Sequence, residues 1–322
     1  MTRQANNRLL HKAQKSKSDE FYTQLCDIER ELQYYSDCFH GKVVYCNCDD
    51  PQFSNFYVYF KNNFKKLGLR KLIVSCYKPK SNNLFEINPT EQAYYREYYG
   101  TEESIIDVAF KSNGDFRSAE CINLLKQSDV VVTNPPFSLF REFISLIVKY
   151  KKEFLVIGNI NAITYKEIFY LIQHNRAWLG INLGRGISGF IVPESYERYG
   201  TEVSINEKGQ AIIATNNCLW LTNLETHFRH EDIDLSKTYN GNEEKYPKYD
   251  NCNGINVNRT KDIPKDYMGL MGVPITFLHR YNPEQFEIVR FRKGDDGGDL
   301  RINGRCPYFR ILIRNKRYIA NH

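Results

Sequence analysis

The 322 residues include 44 Lys and Arg against 38 Asp and Glu, a formal net charge of +6, and 42% of them are hydrophobic. That is enough apolar material for one large domain or two modest ones. No run of 18 or more apolar residues occurs, and the stretch 1–17 has no apolar segment, which argues against a membrane span or an export signal and leads us to expect a cytoplasmic protein.

The charge is informative by position. Residues 290–322 carry nine Lys or Arg and three Asp, and the stretch 1–17 carries five cations and no acid, Lys12 and Lys15 among them. Two basic ends flanking a slightly acidic body suit a surface that meets phosphates, although basic ends also serve solubility. Nine cysteines stand apart, with no two-residue gap of the zinc or redox kind, and the seven histidines show no ligand spacing. Reduced thiols and no metal are expected. Cys46 and Cys48, one residue apart in a strand, read as packing residues.

In chain order, residues 1–17 read as a mobile basic arm. Residues 18–39 follow as a helix capped by Ser18 or Asp19, with Leu25, Ile28, Leu32 and Tyr35 on one face. A strand is predicted over 42–46 and a helix over 53–67, where Phe53, Phe56, Phe60, Phe64 and Leu67 fall at helical spacing and Gly68 stops it. The turn between them holds Asp49, Asp50 and Pro51. A carboxylate at a strand end is the simplest partner for a ligand's ammonium group.

A second strand is predicted over 71–76 and an irregular insertion over 78–104. A strand over 105–110 leads into the turn Gly114-Asp115-Phe116-Arg117 and a helix with Ile122, Leu124 and Leu125. The strand Asp129-Val130-Val131-Val132-Thr133 then delivers Asn134-Pro135-Pro136-Phe137 ahead of a helix over 138–150. Strands over 154–157 and 178–181 enclose a helix over 165–174. This alternation predicts a doubly wound, mostly parallel α/β sheet with ligands at the carboxyl ends of its strands.

Past residue 181 glycines and prolines break the pattern, a strand pair is predicted over 211–222, and Trp220 is either a core residue or part of a binding pocket. The end reads as β: 286–293, a turn at 295–298, 300–302 and 308–314, decorated by Arg290, Arg292, Arg301, Arg305, Arg310 and Arg314. A basic ribbon of this kind fits the major groove of duplex DNA. The resulting division is an arm over 1–17, an α/β domain over 18–223 and a largely β region over 224–322.

The loop after residue 133 suits methylation of an exocyclic amine on a base. The lone pair of such an amine is delocalised into the ring, so a site must accept both amine hydrogens to aim that lone pair at an electrophile. The Asn134 side-chain carbonyl and the Pro135 main-chain carbonyl are two such acceptors. Pro136 stiffens the turn, and the Phe137 ring offers a face on which the base stacks, a contact contributing roughly 1–3 kcal/mol. A strand ending in an ordinary proline turn is the bland alternative.

On the stretches 17–23, 43–51, 114–117, the Asn134 loop and 272–278, which run through most of the chain in order, the sequence resembles the EcoRI-type DNA adenine-N6 methyltransferases. The resemblance implies a Rossmann-like methyltransferase fold, S-adenosylmethionine as cofactor, duplex DNA as substrate, a flipped adenine and the preferred site GAATTC. It further implies a restriction-modification setting with a cognate endonuclease acting on the same site. Phe21, Tyr22 and Thr23 would hold the methionine end of the cofactor, Asp49 or Asp50 its amino group, and Asp115 and Phe116 its adenine. Ser54-Asn55-Phe56 stands where relatives carry glycines, and no acid ends the second strand where many relatives bind ribose. The same kind of loop serves enzymes that methylate RNA adenine or protein glutamine, and the two departures also suit a DNA-binding protein without catalysis. The absence of a repeat or long heptad pattern suits a monomer.

Overall fold

A computed structural model of the chain describes residues 22–78, 92–182, 187–192, 203–206, 209–215, 217–292, 300–306 and 309–317. The expected arm over 1–17 with Lys12 and Lys15, Phe21, residues 79–91 of the expected insertion and the turn at 295–298 lie outside the described residues, and Arg292 is described as backbone alone.

In chain order the described elements are β1 (Tyr22–Thr23), α1 (Leu25–Leu32), β2 (Val43–Asn47), α2 (Asn55–Asn62), β3 (Lys71–Ser75), β4 (Tyr94–Tyr98) and β5 (Ile106–Ala109). There follow α3 (Ala119–Gln127), β6 (Val130–Thr133), α4 (Phe140–Lys149), β7 (Glu153–Asn159), α5 (Lys166–Gln173), β8 (Trp178–Leu179), β9 (Phe190–Ile191), β10 (Val203–Ile205), β11 (Ala211–Ile213) and β12 (Cys218–Thr222). The last strands are β13 (Lys248–Tyr249), β14 (Cys252–Asn256), β15 (Leu270–Pro274), β16 (Phe286–Arg292) and β17 (Arg310–Asn315). The chain divides into two compact units, Met1–Ala162 with Gly180–Leu224 and Ile163–Leu179 with Glu225–His322.

In the first unit seven strands lie in the order β5-β4-β3-β2-β6-β7-β12. Pairing is parallel between β3 and β2, β2 and β6, and β6 and β7. It is antiparallel between β5 and β4, β4 and β3, and β7 and β12. The sheet is therefore mixed, and parallel only through its four central strands. Those strands are buried on both faces, which is why they read as unbroken apolar runs. Val44, Cys46, Leu72, Val74, Val130, Val132, Leu155 and Ile157 share one core cluster with Ile28, Leu32, Phe39, Phe56, Phe60 and Trp220. Elsewhere on β7 the ring of Phe140, at the start of α4, lies over Gly158 so closely that a Cβ there would meet it at 2.6 Å.

Several expectations shift at this level. The helix predicted from residue 18 is interrupted: β1 comes first, α1 spans Leu25–Leu32, and Gln33–Phe39 is a 3-10 helix. β1 exists because Tyr22 and Thr23 pair antiparallel with Ile191 and Phe190, partners that lie far along the chain. The expected irregular insertion contains an ordered strand, β4, whose pairing on β3 only the tertiary fold reveals. The two strands predicted over 211–222 do not pair with each other, since β11 joins β9 and β10 in a small four-stranded sheet while β12 closes on β7. Trp220 is wholly buried and edge-on to Phe56, so it belongs to the core.

The second unit holds a five-stranded sheet, β13-β14-β15-β17-β16, with β14 and β15 parallel and the other pairs antiparallel. Helix α5, read from the sequence as part of the catalytic alternation, belongs to this unit. The Phe169 ring packs on Phe291 at 5.1 Å, and Gln173 Nε2 donates to the Val289 carbonyl at 2.7 Å. Among the described residues no helix is long and apolar enough to cross a membrane.

Candidate active site

The carboxyl ends of the two central parallel strands bring the predicted residues together. β2 ends at Asn47 and runs into Cys48, which has φ of 68°, then Asp49 and Asp50. Neighbouring β6 ends at Thr133 and runs into Asn134. Thr133 Oγ1 is hydrogen-bonded to the Asn47 carbonyl and, at 2.5 Å, to Asp49 Oδ2, so the acidic turn and the Asn134 loop are fastened to one another. A threonine hydroxyl has one hydrogen and faces two acceptor oxygens here. The hydroxyl therefore binds the Asn47 carbonyl and the Asp49 carboxyl together.

Burial pushes the Asp49 carboxyl up to about 7, with the bonds donated by Thr133 and Ser54 opposing the shift. Ser54 Oγ donates to Asp49 Oδ1 at 2.8 Å while accepting from the amides of Phe56 and Tyr57, so this one side chain caps α2 and holds the acid. Asp50 is also buried, and its Oδ2 lies 3.1 Å from Lys78 Nζ.

β1 closes the same end of the sheet. The Thr23 carbonyl accepts from Asn55 Nδ2 at 2.7 Å, and the Tyr22 ring stands 6.1 Å from that of Phe53. Thr23 is directly opposite Phe190 in register, and the Phe190 ring meets that of Phe137 edge-on at 6.1 Å. The predicted cofactor segment and the predicted base platform thus share a neighbour that the sequence did not single out. Phe190 is buried, Phe137 half-buried.

In the Asn134 loop, Asn134 is half-buried, Pro135 buried, and the Pro136 carbonyl accepts from the Leu139 amide at 3.0 Å to open the short 3-10 turn Phe137–Leu139. Asp115 and Phe116 are placed less openly than expected. Both Asp115 oxygens accept from the Arg117 guanidinium, at 2.9 and 2.7 Å, and these bonds hold its carboxyl below the usual range. Phe116 is buried edge-on against Phe143 of α4. A neighbouring glycine, Gly114, has φ of 76° and sits where a Cβ would lie 2.1 Å from the Cys76 carbonyl oxygen, so only glycine fits between this turn and the end of β3.

The arginines of the C-terminal ribbon separate into kinds. Arg290, Arg301 and Arg305 are exposed, and Arg314 is exposed but within 3.1 Å of Glu287. Arg310 departs from the expectation of a surface cation: it is buried and donates through Nε to Asn256 Oδ1 at 3.0 Å. That oxygen also accepts from the Tyr249 hydroxyl. Position along the strand explains the difference, since Arg310 and Arg314 stand on the same face of β17. Arg310 is flanked by strands on both sides, at Pro274 of β15 and Arg292 of β16, whereas Arg314 is paired with Glu287 of β16 beyond the last β15 pair. Among the described residues no three His, Cys, Asp or Glu side chains converge as a metal site.

Beyond Phe190, sequence reading passed over Thr133 and Ser54 as site residues. Ser54 carried a legible signal, a serine preceding a helical aromatic pattern. Thr133 and Phe190 carried none, because only strand pairing places them.

Comparison with known proteins places this geometry in context. The family model described as "Adenine-specific methyltransferase EcoRI" matches residues 9–316. The chain is 61% identical to the type II methyltransferase M.EcoRI of Escherichia coli over 323 residues, covering 98% of this chain and 99% of that protein. It is 36% identical to the type II methyltransferase M.MpnI of Mycoplasma pneumoniae, covering 96% and 98%. It is also 36% identical to M.MgeORF184P of Mycoplasma genitalium, covering 95% and 98%. No solved structure matches the chain.

Proposed function

The chain belongs to the adenine-specific EcoRI methyltransferase family, and from this we propose that it transfers the methyl group of S-adenosylmethionine to N6 of a flipped adenine in duplex DNA, within GAATTC, as the protecting half of a restriction-modification pair. It is an adenine-specific methyltransferase. The observation carrying the detailed reading is the fastening of the Asn134 loop to the buried acidic turn through Thr133. That bond sets the residues that would hold an amine-bearing base beside those that would hold a cationic donor.

The donor set fits the cofactor. Thr23 Oγ1 and Asn47 Oδ1 are buried and have no hydrogen-bond partner among the described residues. Such atoms cost about 1–3 kcal/mol each unless a ligand satisfies them, and S-adenosylmethionine brings ammonium, ribose hydroxyl and adenine amine donors. Phe21, Tyr22 and Thr23 would flank its methionine end. Asp50, already matched to a cation in Lys78, would take the ammonium better than Asp49, whose two oxygens already accept from Thr133 and Ser54. Asp115 and Phe116 would border the adenine. When bound, the cofactor supplies a methyl group on a sulfonium, electrophilic enough to need no further activation.

The protein's own residues do the rest. Asn134 and the Pro135 carbonyl accept the two N6 hydrogens and turn the lone pair out of the base plane. Pro136 holds that carbonyl in place, and Phe137 stacks on the base to offset the few kcal/mol spent on extrusion. Water takes the excess N6 proton. We assign residues 18–223, apart from the stretch around α5, to catalysis and 224–322 to target recognition, where Arg290, Arg292, Arg301, Arg305 and Arg314 face the duplex, with Lys12 and Lys15 of the arm touching phosphates. Arg310 supports this surface from within.

The test is transfer of labelled methyl from S-adenosylmethionine to duplex DNA, followed by sequencing of the modified positions, with Asn134→Ala in parallel. We expect label at adenine N6 in one short recurring site and a loss of at least a hundredfold in kcat for the variant while DNA binding persists. Label appearing only in RNA or protein, or near-normal turnover by Asn134→Ala, would overturn the assignment.

A further inference from the structure

Helix α1 presents two fully buried carboxylates one turn apart, and neither belongs to the catalytic residues above. Glu31 accepts from the main-chain amides of Ile181 and Asn182 at 2.8 and 2.9 Å, from Asn182 Nδ2 at 3.0 Å and from the Tyr35 hydroxyl at 3.0 Å. Asp27 accepts from the Ser188 amide at 2.8 Å, from the Ser188 hydroxyl at 2.9 Å and, on its other oxygen, from Arg30 Nη1 at 3.4 Å. The Ser188 hydroxyl accepts in turn from Gln24 Nε2 at 2.7 Å, and the same side-chain amide reaches the Gly189 carbonyl at 3.2 Å.

Both carboxylates grip the same distant stretch of chain. Gly180 leaves room for one of them, since a Cβ there would stand 2.3 Å from Glu31 Oε1. Gly189 lies so close to β11 that a Cβ would meet Ile212 and the Ile213 carbonyl at 2.7 Å. The residue immediately after this doubly fixed pair is Phe190, opposite Thr23 in register and edge-on to Phe137. Replacing these carboxylates leaves buried main-chain donors unsatisfied.

We infer that Asp27 is a positioning residue for methyl transfer: through Ser188 it sets Phe190, and through Phe190 it fixes the ring of Phe137 on which the target base stacks. Asp27 touches neither base nor cofactor. Its work is to hold an aromatic wall still, so that the platform does not tilt when the base arrives. The inference rests on the reading of Phe137 as the base platform.

The test uses the full-length protein with Asp27→Ala, Asp27→Asn, Ser188→Ala and, as the direct link, Phe190→Leu. The probe is a duplex with 2-aminopurine at the adenine that the wild type methylates, whose fluorescence rises when the base leaves the stack. For Asp27→Ala and Ser188→Ala we expect kcat/KM for DNA to fall at least tenfold and the fluorescence rise to be at least halved, with the affinity for S-adenosylmethionine changed less than threefold by calorimetry. Asp27→Asn, which keeps one acceptor oxygen, recovers part of both. If Asp27→Ala fails to fold, Ser188→Ala and Phe190→Leu decide. Wild-type kcat/KM and fluorescence in folded variants, or lowered melting temperature with an unchanged fluorescence rise, would overturn the inference as a merely structural effect. The underlying function is read separately on the wild type, whose failure to methylate any duplex would remove the premise itself.

Discussion

At the scale of single residues, the site is built on a buried acid. Asp49 accepts from Thr133 and Ser54 where burial disfavours its charge. The consequence is a pH dependence of stability with a definite sign. The Asp49 carboxyl moves from an ordinary 3.8 to about 7 on folding, so between those values the folded protein holds a proton that the unfolded chain has released. The stability carried by the neutral form is complete below 3.8, declines as pH rises and is gone above about 7. Asp49→Asn removes this titration. In thermal melts between pH 5 and 8.5, the variant should gain on the wild type as pH rises to about 7 and run parallel to it beyond. A difference that does not vary with pH would show that Asp49 is ionised in the folded state.

At the scale of elements, the junction of β2 with α2 is held by side-chain bonds at the place where the resemblance leads one to expect a glycine-rich loop. Ser54 closes the first turn of α2 by accepting two amides, and it donates to Asp49 in the same position. Loss of a serine cap costs about 1 kcal/mol, and here the acid loses a donor as well. Ser54→Ala should therefore lower stability by about 1–2 kcal/mol in urea titration. It should weaken S-adenosylmethionine binding in calorimetry by more than a surface control such as Lys65→Ala does. Unchanged cofactor affinity with lowered stability would confine Ser54 to the cap. The departure from glycine thus has a physical account: the turn is held by side-chain bonds rather than by backbone freedom.

At the scale of the whole molecule, the proposed DNA contact rests on charge. The formal excess of +6 lies within residues 290–322, and the second unit displays Arg301 and Arg305 at its surface. Each cation withdrawn from a phosphate should lower the slope of log affinity against log salt by about one. We expect Arg301→Ala with Arg305→Ala to weaken binding of all duplexes similarly at low salt and to reduce the slope by about two. An unchanged slope would place the DNA elsewhere. Arg310→Ala belongs to a different class. Its guanidinium ties β17 to Asn256, so its removal should act on stability before it acts on salt dependence.

The sequence alone determined whatever depends on local order. The valine-rich strand, the Asn134-Pro135-Pro136-Phe137 loop after it, the acidic turn after β2 and the basic C-terminal ribbon are contiguous, and contiguous chemistry can be read without a fold. Apolar runs likewise announced the four central strands, because a strand covered on both faces has no polar side to show. Only the tertiary structure decided what depends on register. β1 exists through its pairing with β9, β4 through its pairing with β3, and α5 joins the second unit through Phe291 and Val289. Arg310 and Arg314 share one face of one strand, yet the neighbouring strands and their side chains bury the first and leave the second at the surface. Asp27, Ser188 and Phe190 are scattered, individually unremarkable residues. They become one device because long-range pairing joins Thr23 to Phe190 and closes the whole stretch of chain between them, and no local propensity records where such a loop will close.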